Sequence, residues 1–358
     1  MKKVRYAVVG AGWISQEAFM PSVDQTGNSE MTAIVTGNLE KAKKLADFYG
    51  IKHVYPYERY DEMLKAGVAD AVYIALPNSI HADYAIRAAN AGVHALVEKP
   101  LAMTAAECEA MIAAAAKAGV WLMTAYRLHN EPGTLEVLDM VRRGDIGDPR
   151  MFSSVFCFQS GPENHRLLAE HWGGPLQDLG VYCVNAVRHI FASEPIEARA
   201  MRDAGPGDPR FREVEETICA TLRFPGGRIA NFFSSFGASS FESYTIAGTS
   251  GVIDVYFGYR FETARRIRVI RDQEVTEKVV PHVENFSGQT AYFSDCILKG
   301  VRPESDGEEG LADMRALLAI EEAARTGKPQ KIVSPPRPVH PTMDMVRSFP
   351  PVSRRLLV

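Results

Sequence analysis

The sequence predicts an α/β chain in two parts: a doubly wound parallel sheet, then an α+β part with a large, mostly antiparallel open sheet. In the first part, short apolar runs alternate with helical patterns, as in parallel sheets with crossover helices. From about residue 150, strand patterns follow one another with short turns and no crossover helices. The 358 residues also exceed one ordinary hydrophobic core. We expect domains at 1–125 and 126–330 and a proline-rich tail at 331–358.

The composition excludes several classes of function. The net charge of −4, without long runs of like charge, provides no basic field for nucleic acid. Five scattered cysteines without a Cys-x-x-Cys pair indicate neither a zinc site nor a disulfide framework, and no metal is predicted. No apolar stretch of about 18 residues is present to span a bilayer, and the chain opens on a strand pattern instead of a signal peptide. We expect a cytoplasmic protein that binds neither membrane nor nucleic acid.

The first element is a β-branched run at residues 4–9, followed at once by a glycine turn and a helical pattern. Gly10 permits a tight turn, Gly12 lets a pyrophosphate approach the backbone, and the helix start directs N–H groups at phosphates. Ser15 replaces the third glycine of this dinucleotide fingerprint, and a small residue still allows close helix packing. A glycine turn without ligand is the alternative. The expected dinucleotide contacts are Gly10, Gly12, Trp13 and Ile14.

The second strand pattern, at residues 31–36, ends where an acidic residue binds the ribose 2′-hydroxyl in NAD enzymes. No acid stands there, and the chain instead continues through Thr36, Gly37 and Asn38. Small polar groups with Lys41 on the next helix suit a 2′-phosphate, so the pattern favours NADP over NAD. Lys41 is equally well explained as a solvated helix residue.

Two further strand patterns lie at residues 70–76 and 94–97. Asn78 follows the first and is either a cofactor contact or an ordinary turn or cap asparagine. An acid, a lysine and a proline follow the second, and an ionisable pair at the carboxyl end of a parallel strand lies where such sheets bind ligands. Lys99 is therefore a catalytic candidate, with a solvated strand end as the alternative. After one more strand, Arg127 or His129 is expected to face a cleft or to serve as a surface hinge.

The second part contains one helix that carries chemistry, beginning near Gln177. Asp178, Tyr182 and Asn185 fall on one helical face at i, i+4 and i+7. An acid and a phenol one turn apart make a substrate face, although periodicity alone favours a core tyrosine with a capping aspartate. The strand patterns around this helix are 152–158, 196–201, 216–224, 228–236, 243–247 and 252–257.

These motifs together resemble the Gfo/Idh/MocA oxidoreductase family, and within it the aldose-oxidising branch around glucose-fructose oxidoreductase, along nearly the whole chain to residue 330. The tyrosine at 182, where many members have histidine, is similar to that sugar-oxidising branch. The resemblance implies an NADP-dependent sugar oxidoreductase with Lys99, Asp178 and Tyr182 as catalytic residues. The matched stretches are 10–12, 76–81, 98–100, 126–127 and 173–182. Further implied cofactor contacts are Leu76, Asn78, His81, Glu98, Lys99, Arg127 and Arg166.

Oxidation of an aldose at C1 requires a base, because the anomeric hydroxyl loses a proton as its carbon gives up hydride. Tyr182 is expected to be that base, with Lys99 favouring the phenolate or itself taking the proton, and Asp178 orienting the sugar. The resemblance favours retained NADP(H) that reduces a second sugar to its alditol. Two departures from the family pattern favour release of the cofactor in each cycle instead. His165 stands where the relative has a tryptophan beside the nicotinamide, and no N-terminal extension is present to fold over the cofactor. An NADP-sensing regulatory protein is the non-enzyme alternative.

The resemblance also implies a homodimer through the second sheet. The sequence carries several phenylalanines there that would form a large apolar patch on a monomer. We expect the exposed face to include Phe232, Phe233, Phe236 and Phe241.

Overall fold

The computed structural model describes residues 2–358. Their contacts form two compact units. The first holds the chain up to Glu131 with Val283–Gly310 and Asp344–Val358, and the second holds Pro132–His282 with Leu311–Met343. The sequence-based division placed residues 283–310 in the second domain and 344–358 in a separate tail, whereas the contacts place both segments with the first unit.

The described chain has fifteen strands and nine α-helices. The strands are β1 Val4–Val9, β2 Ser29–Val35, β3 His53–Tyr55, β4 Ala71–Ile74, β5 His94–Val97, β6 Leu122–Thr124, β7 Pro149–Cys157, β8 Glu197–Asp203, β9 Thr217–Arg223, β10 Ile229–Ser235, β11 Phe241–Gly248, β12 Val252–Tyr256, β13 Arg265–Arg271, β14 Glu274–Val280 and β15 Gln330–Lys331. The helices are α1 Met20–Gln25, α2 Leu39–Tyr49, α3 Tyr60–Lys65, α4 His81–Asn90, α5 Ala105–Ala118, α6 Pro132–Arg142, α7 Val181–Ile190, α8 Asn285–Lys299 and α9 Gly307–Thr326.

The first unit contains a parallel six-stranded sheet in the order β3-β2-β1-β4-β5-β6, which confirms the predicted doubly wound sheet. Its core cluster includes Phe19, stacked on Tyr73 with ring centroids 3.7 Å apart, and Phe293 of α8. The strand order reverses between β1 and β4. The turns that follow these two strands therefore lie at the point where such sheets bind ligands.

The second unit contains a nine-stranded sheet in the order β14-β13-β12-β11-β7-β10-β9-β8-β15. Its neighbouring strands are antiparallel except β7 and β10, so the predicted mostly antiparallel sheet is confirmed. The sequence patterns missed β13, β14 and β15. In β14 every residue except Val280 is exposed, and charged residues are mixed with apolar ones, as is common on edge strands.

One face of the second sheet is covered, because α7 and the helical turn before it pack on β7 and β10. The opposite face is open, with Phe233 and Phe241 each 49% exposed. The expectation that Phe232 and Phe236 share this open face is wrong, since they are 1% and 0% exposed. Successive strand residues point to opposite faces, so Phe232 faces Gly180 on the covered side.

The structure bears on two points raised by the composition, the state of the cysteines and the presence of membrane-spanning helices. The cysteines of the described chain are all free, so no disulfide joins them. Among residues 2–358, no helix has the length and apolar character needed to cross a bilayer.

Candidate functional site

The glycine turn of the first unit has the shape that a dinucleotide requires. Gly10 has a φ of +94°, and a Cβ there would lie 2.3 Å from the carbonyl oxygen of Ala75, so only glycine fits. A Cβ on Gly12 would meet no atom within 4 Å. The turn is therefore closed against the sheet at Gly10 and open at Gly12, where a pyrophosphate would approach the backbone.

Two side chains of the following helix stabilise this turn by hydrogen bonds to its carbonyl groups. The Ser15 hydroxyl donates to the carbonyl of Gly10 at 2.6 Å, and the Gln16 amide donates to the carbonyl of Ala11 at 2.7 Å. Both side chains are buried. The third-glycine position is thus filled by a serine that adds a hydrogen bond instead of weakening the turn. The helix here begins with a π-type turn, Ser15–Phe19, a feature frequent at functional sites.

The segment after β2 places small polar groups where the sequence predicts the 2′-phosphate. Asn38 caps α2 by accepting from the backbone N–H of Lys41 at 3.0 Å. A Cβ on Gly37 would lie 3.4 Å from the ring of Tyr57, so this ring packs directly against the segment. Burial raises the pKa of Tyr57. Tyr57, which the sequence patterns missed, therefore fixes the shape of this segment.

His81 joins the turns that follow β4 and β5. Its two ring nitrogens lie 2.9 Å from the carbonyl oxygen of Leu76 and 3.0 Å from that of Pro100. The ring is fully buried, and this burial lowers its pKa. Asn78 is half-buried and lies between Leu76 and His81 in the chain, in the short helical turn Asn78–Ile80.

The acid and the lysine at the end of β5 are both half-buried. The hydroxyl of Tyr73 donates to Glu98 at 2.6 Å from inside β4. Burial raises the pKa of Glu98, while Lys99 and Arg127 act against this rise. The peptide bond between Lys99 and Pro100 is cis. Tyr73 gave no signal in the sequence, because it sits in an unbroken buried strand.

Arg127 and His129 lie in a short buried helical turn after β6. The Arg127 guanidinium carbon lies 5.8 Å from the ring centroid of Phe286 in α8. The Nδ1 atom of His129 lies 2.7 Å from a carboxylate oxygen of Glu304, and both side chains are buried. His129 is thus held by an internal acid, and Arg127 remains the candidate contact of the pair.

In the second unit, two glycines fold the loop before the chemical helix tightly onto itself. A Cβ on Gly173 would lie 2.1 Å from the carbonyl oxygen of Arg166, and Gly174 has a φ of +123°. The backbone N–H of Gly174 donates to that same carbonyl at 2.8 Å. These contacts bring Arg166 back to the start of the helix.

Arg166 and Asp178 form an ion pair, with Nε 3.1 Å from the carboxylate. The Asp178 side chain is only 14% exposed, so the arginine partly offsets the cost of burying this charge. Partial burial, then Arg166, lowers the pKa of His165 to about 4, which keeps its ring neutral near pH 7. Asp178 lies in a second π-type turn, Leu176–Gly180, that runs directly into α7.

Tyr182 follows Asp178 on the helix and is half-buried. Its ring lies 5.8 Å from that of Phe156 and 6.0 Å from that of Tyr259, which limits its movement. Asn185, the third residue on the predicted face, is buried and donates to Asp313 at 2.9 Å. It is thus part of the internal polar network in which Arg188 also bonds to Asp313.

The sequence-predicted residues fall into a group in each unit. In the first unit, the structure places the turns after β1, β2, β4, β5 and β6 at one edge of the parallel sheet, as their strand ends require. In the second unit, it brings Arg166 together with Asp178. The residues of the first group are Gly10, Gly12, Trp13, Ile14, Thr36, Gly37, Asn38, Lys41, Leu76, Asn78, His81, Glu98, Lys99 and Arg127.

The comparisons with known proteins agree with this arrangement. Residues 4–126 match the family model described as "Oxidoreductase family, NAD-binding Rossmann fold". Residues 134–254 match the model of the GFO/IDH/MocA C-terminal domain. The two matches meet at the same part of the chain where the sheet type changes.

Three similar proteins cover the chain almost completely. An aldose-aldose oxidoreductase from Caulobacter crescentus, solved with glycerol, is 35% identical with a TM-score of 0.88, covering 92% of this chain and 100% of its own. An NADP-dependent D-xylose 1-dehydrogenase from Haloarcula marismortui is 29% identical over 90% of this chain and 91% of its own. An uncharacterised oxidoreductase from Rhizobium meliloti is 32% identical over 91% of this chain and 98% of its own. The chain belongs to the Gfo/Idh/MocA family of oxidoreductases.

Proposed function

We propose that this protein is an NADP-dependent sugar oxidoreductase that oxidises an aldose at C1 to the aldonolactone. The observation that carries the proposal is the half-buried pair on consecutive helical turns, Asp178 held by Arg166 and Tyr182 held between two aromatic rings. Both similar proteins of known activity act on aldoses, at 29% and 35% identity. A sugar offers the several hydroxyls that a carboxylate and a phenol bind.

The residues of the first unit fit an NADP molecule. The open space over Gly12 accommodates the pyrophosphate, with Trp13 and Ile14 beside it. Thr36, Gly37 and Asn38 would hold the 2′-phosphate, with Lys41 adding a charge. When bound, NADP supplies the nicotinamide carbon that accepts a hydride. The remaining proposed contacts are Leu76, Asn78, Glu98, Lys99, Arg127 and Arg166, with His81 positioning the turns that carry them.

The chain itself supplies the proton chemistry. Tyr182 takes the proton of the C1 hydroxyl while that carbon loses hydride, so that the C1–O bond becomes a carbonyl. The positive charge of a protonated Lys99 would favour the phenolate form of Tyr182. Asp178 accepts from a second sugar hydroxyl. In the other assignment Lys99 takes the proton as a neutral amine, and the pH profiles of Tyr182→Phe and Lys99→Met distinguish the two.

The hydride then has two possible destinations. In the first, the cofactor stays bound and a second sugar is reduced to its alditol, as the name of the Caulobacter protein suggests for that enzyme. In the second, the reduced cofactor leaves in each cycle, as in an ordinary dehydrogenase such as the Haloarcula relative. We favour the first. Enzyme given one aldose and no nucleotide should yield equal aldonic acid and alditol, whereas turnover only with stoichiometric NADP supports the second.

We also propose a homodimer through the open face of the second sheet. Ile229 and Met151 are paired in register there and are 50% and 60% exposed, and Phe233 lies further along β10. An exposed apolar surface of this kind marks an interaction site. Light scattering should give about twice the chain mass of 39.5 kDa at micromolar concentration. A mass near 39.5 kDa would refute the dimer.

The enzyme proposal is tested with a panel of aldoses and polyols. Purified protein with NADP is mixed with each sugar, and the absorbance of NADPH is followed. At least one aldose should give NADPH, or its aldonic acid if the cofactor is retained. Binding of NADP without conversion of any sugar would support the regulatory protein instead.

A further inference from the structure

Residues 354–358 form a short segment without helix or strand that belongs to the first unit. The guanidinium carbon of Arg354 lies 4.4 Å from the ring centroid of Phe48, and its Nη2 donates to the Phe48 carbonyl. Leu356 packs against the core cluster of that unit. An apolar anchor next to a stacked cation fixes the position of the segment. Arg355 and Val358, which flank Leu356 in the sequence, contact residues next to the glycine turn.

The segment contacts the glycine turn through one buried side chain. The backbone N–H of Val358 donates to Gln16 Oε1 at 2.7 Å, and Gln16 Nε2 donates to the carbonyl of Ala11 at 2.7 Å. Both ends of the amide are therefore used, which fixes its orientation. Ala11 lies between the two glycines of the turn. The contact from residue 358 thus reaches the turn by way of a single amide group.

An ion pair reinforces the same connection. Arg355 Nη1 contacts the Glu17 carboxylate, and Glu17 is buried in the π-type turn that follows the glycine turn. A buried carboxylate without its partner is costly, so loss of Arg355 would favour rearrangement of this turn. Gln16 and Glu17 are adjacent residues, and both are held by residues of the 354–358 segment.

We propose that the 354–358 segment positions the glycine turn for the dinucleotide, with Arg355 and Gln16 as positioning residues. The proposal rests on the proposed cofactor site. Without the segment, Gln16 is free to turn away from Ala11, and the turn samples shapes that do not fit a pyrophosphate. The apparent affinity for NADP is then the intrinsic affinity multiplied by the fraction of molecules whose turn has the competent shape. The sugar site in the second unit is not part of this effect.

The test measures NADP affinity by isothermal titration calorimetry on full-length protein, on Arg355→Gln, on Arg355→Lys, on Gln16→Met and on a variant that stops after residue 353. Arg347→Gln is the matched control, because it removes an arginine from the same tail whose ion pair is with Asp295 of α8. Expected values of Kd rise about tenfold for Arg355→Gln, Gln16→Met and the shortened chain, equivalent to about 1.4 kcal/mol. Arg355→Lys should recover part of the loss, and Arg347→Gln should stay within about twofold of wild type.

A second readout separates positioning from general damage. At saturating NADP, kcat and the KM for the sugar should return to wild-type values in Arg355→Gln, since only the competent fraction has changed. Unchanged NADP affinity in Arg355→Gln and Gln16→Met would overturn the inference, as would an equal loss in Arg347→Gln. Failure of the wild-type protein to bind NADP would instead refute the proposed cofactor. If the shortened chain does not fold, the point variants decide.

Discussion

A π-type turn follows the glycine turn of the first unit and also holds Asp178 at the helix start of the second unit, but the two sites are built differently. The first is made of backbone: Gly10 is confined by the carbonyl of Ala75, and Gly12 is open. The second is made of side chains. Gly173 and Gly174 fold the loop tightly, and Arg166 in that loop pairs with Asp178. Backbone requirements leave fixed spacings in a sequence, whereas side-chain pairs formed by tertiary packing do not.

The two glycines of the turn offer the largest contrast. Gly10→Ala should lower the free energy of unfolding by about 3 kcal/mol, because it adds both a positive-φ strain and a clash. Gly12→Ala meets no protein atom and should melt like wild type, yet bind NADP at least about tenfold more weakly because its methyl group meets the pyrophosphate. Thermal melts with and without NADP measure both. Equal melting temperatures for the two variants would contradict the different roles.

Tyr182→Phe tests the side-chain region. Turnover should fall by about 10² or more, the usual contribution of a general base, while the affinity for NADP is retained. Tyr256→Phe, at an exposed position of β12, is the control and should leave turnover unchanged. Steady-state kinetics at saturating cofactor decide. Wild-type turnover in Tyr182→Phe would remove this residue from the mechanism.

Asp178→Asn asks whether the carboxylate binds sugar or only Arg166. Loss of a charged hydrogen bond to substrate should reduce kcat/KM for the sugar by about tenfold to 10², in line with about 1.5–3 kcal/mol. The affinity for NADP should change less. A matched Glu194→Gln variant breaks the internal pair with Arg188 instead and should lower the melting temperature more than the activity. The opposite ranking would make Asp178 structural.

Much of the fold was predictable from the sequence, together with the segments that carry the candidate site. The parallel strands other than β3, the glycine turn and the acid–lysine pair follow local patterns of burial and backbone need, and the structure has them at the expected positions. Tyr73, Tyr57 and Gln16 left no signal, because each acts on a residue distant in sequence or through an ordinary buried position. Phe232 was misplaced because aromatic content does not show which face a strand residue takes.

Glu98→Gln gives the smallest predicted effect and tests the electrostatics beside Lys99. Burial raises the pKa of Glu98, so the ionised form is less favourable in the folded than in the unfolded protein. Wild type therefore loses stability from this group as the pH rises above the ordinary range of a glutamate. The variant should gain in melting temperature relative to wild type at pH 7 and not at pH 4. A larger gain at pH 4 would show the sign to be wrong.

The central claim is that hydride leaves C1 of an aldose to a nicotinamide bound at the glycine turn. The most direct measurement uses an aldose carrying deuterium at C1, purified enzyme and NADP, with mass spectrometry of all products. We predict aldonic acid without deuterium at C1, and the lost deuterium in NADPH or, with retained cofactor, as a second deuterium at C1 of the alditol, next to the one that the acceptor aldose already carries. Aldonic acid that still carries the C1 deuterium, an alditol with only one deuterium at C1 and no label in NADPH, or deuterium released to solvent would contradict the account.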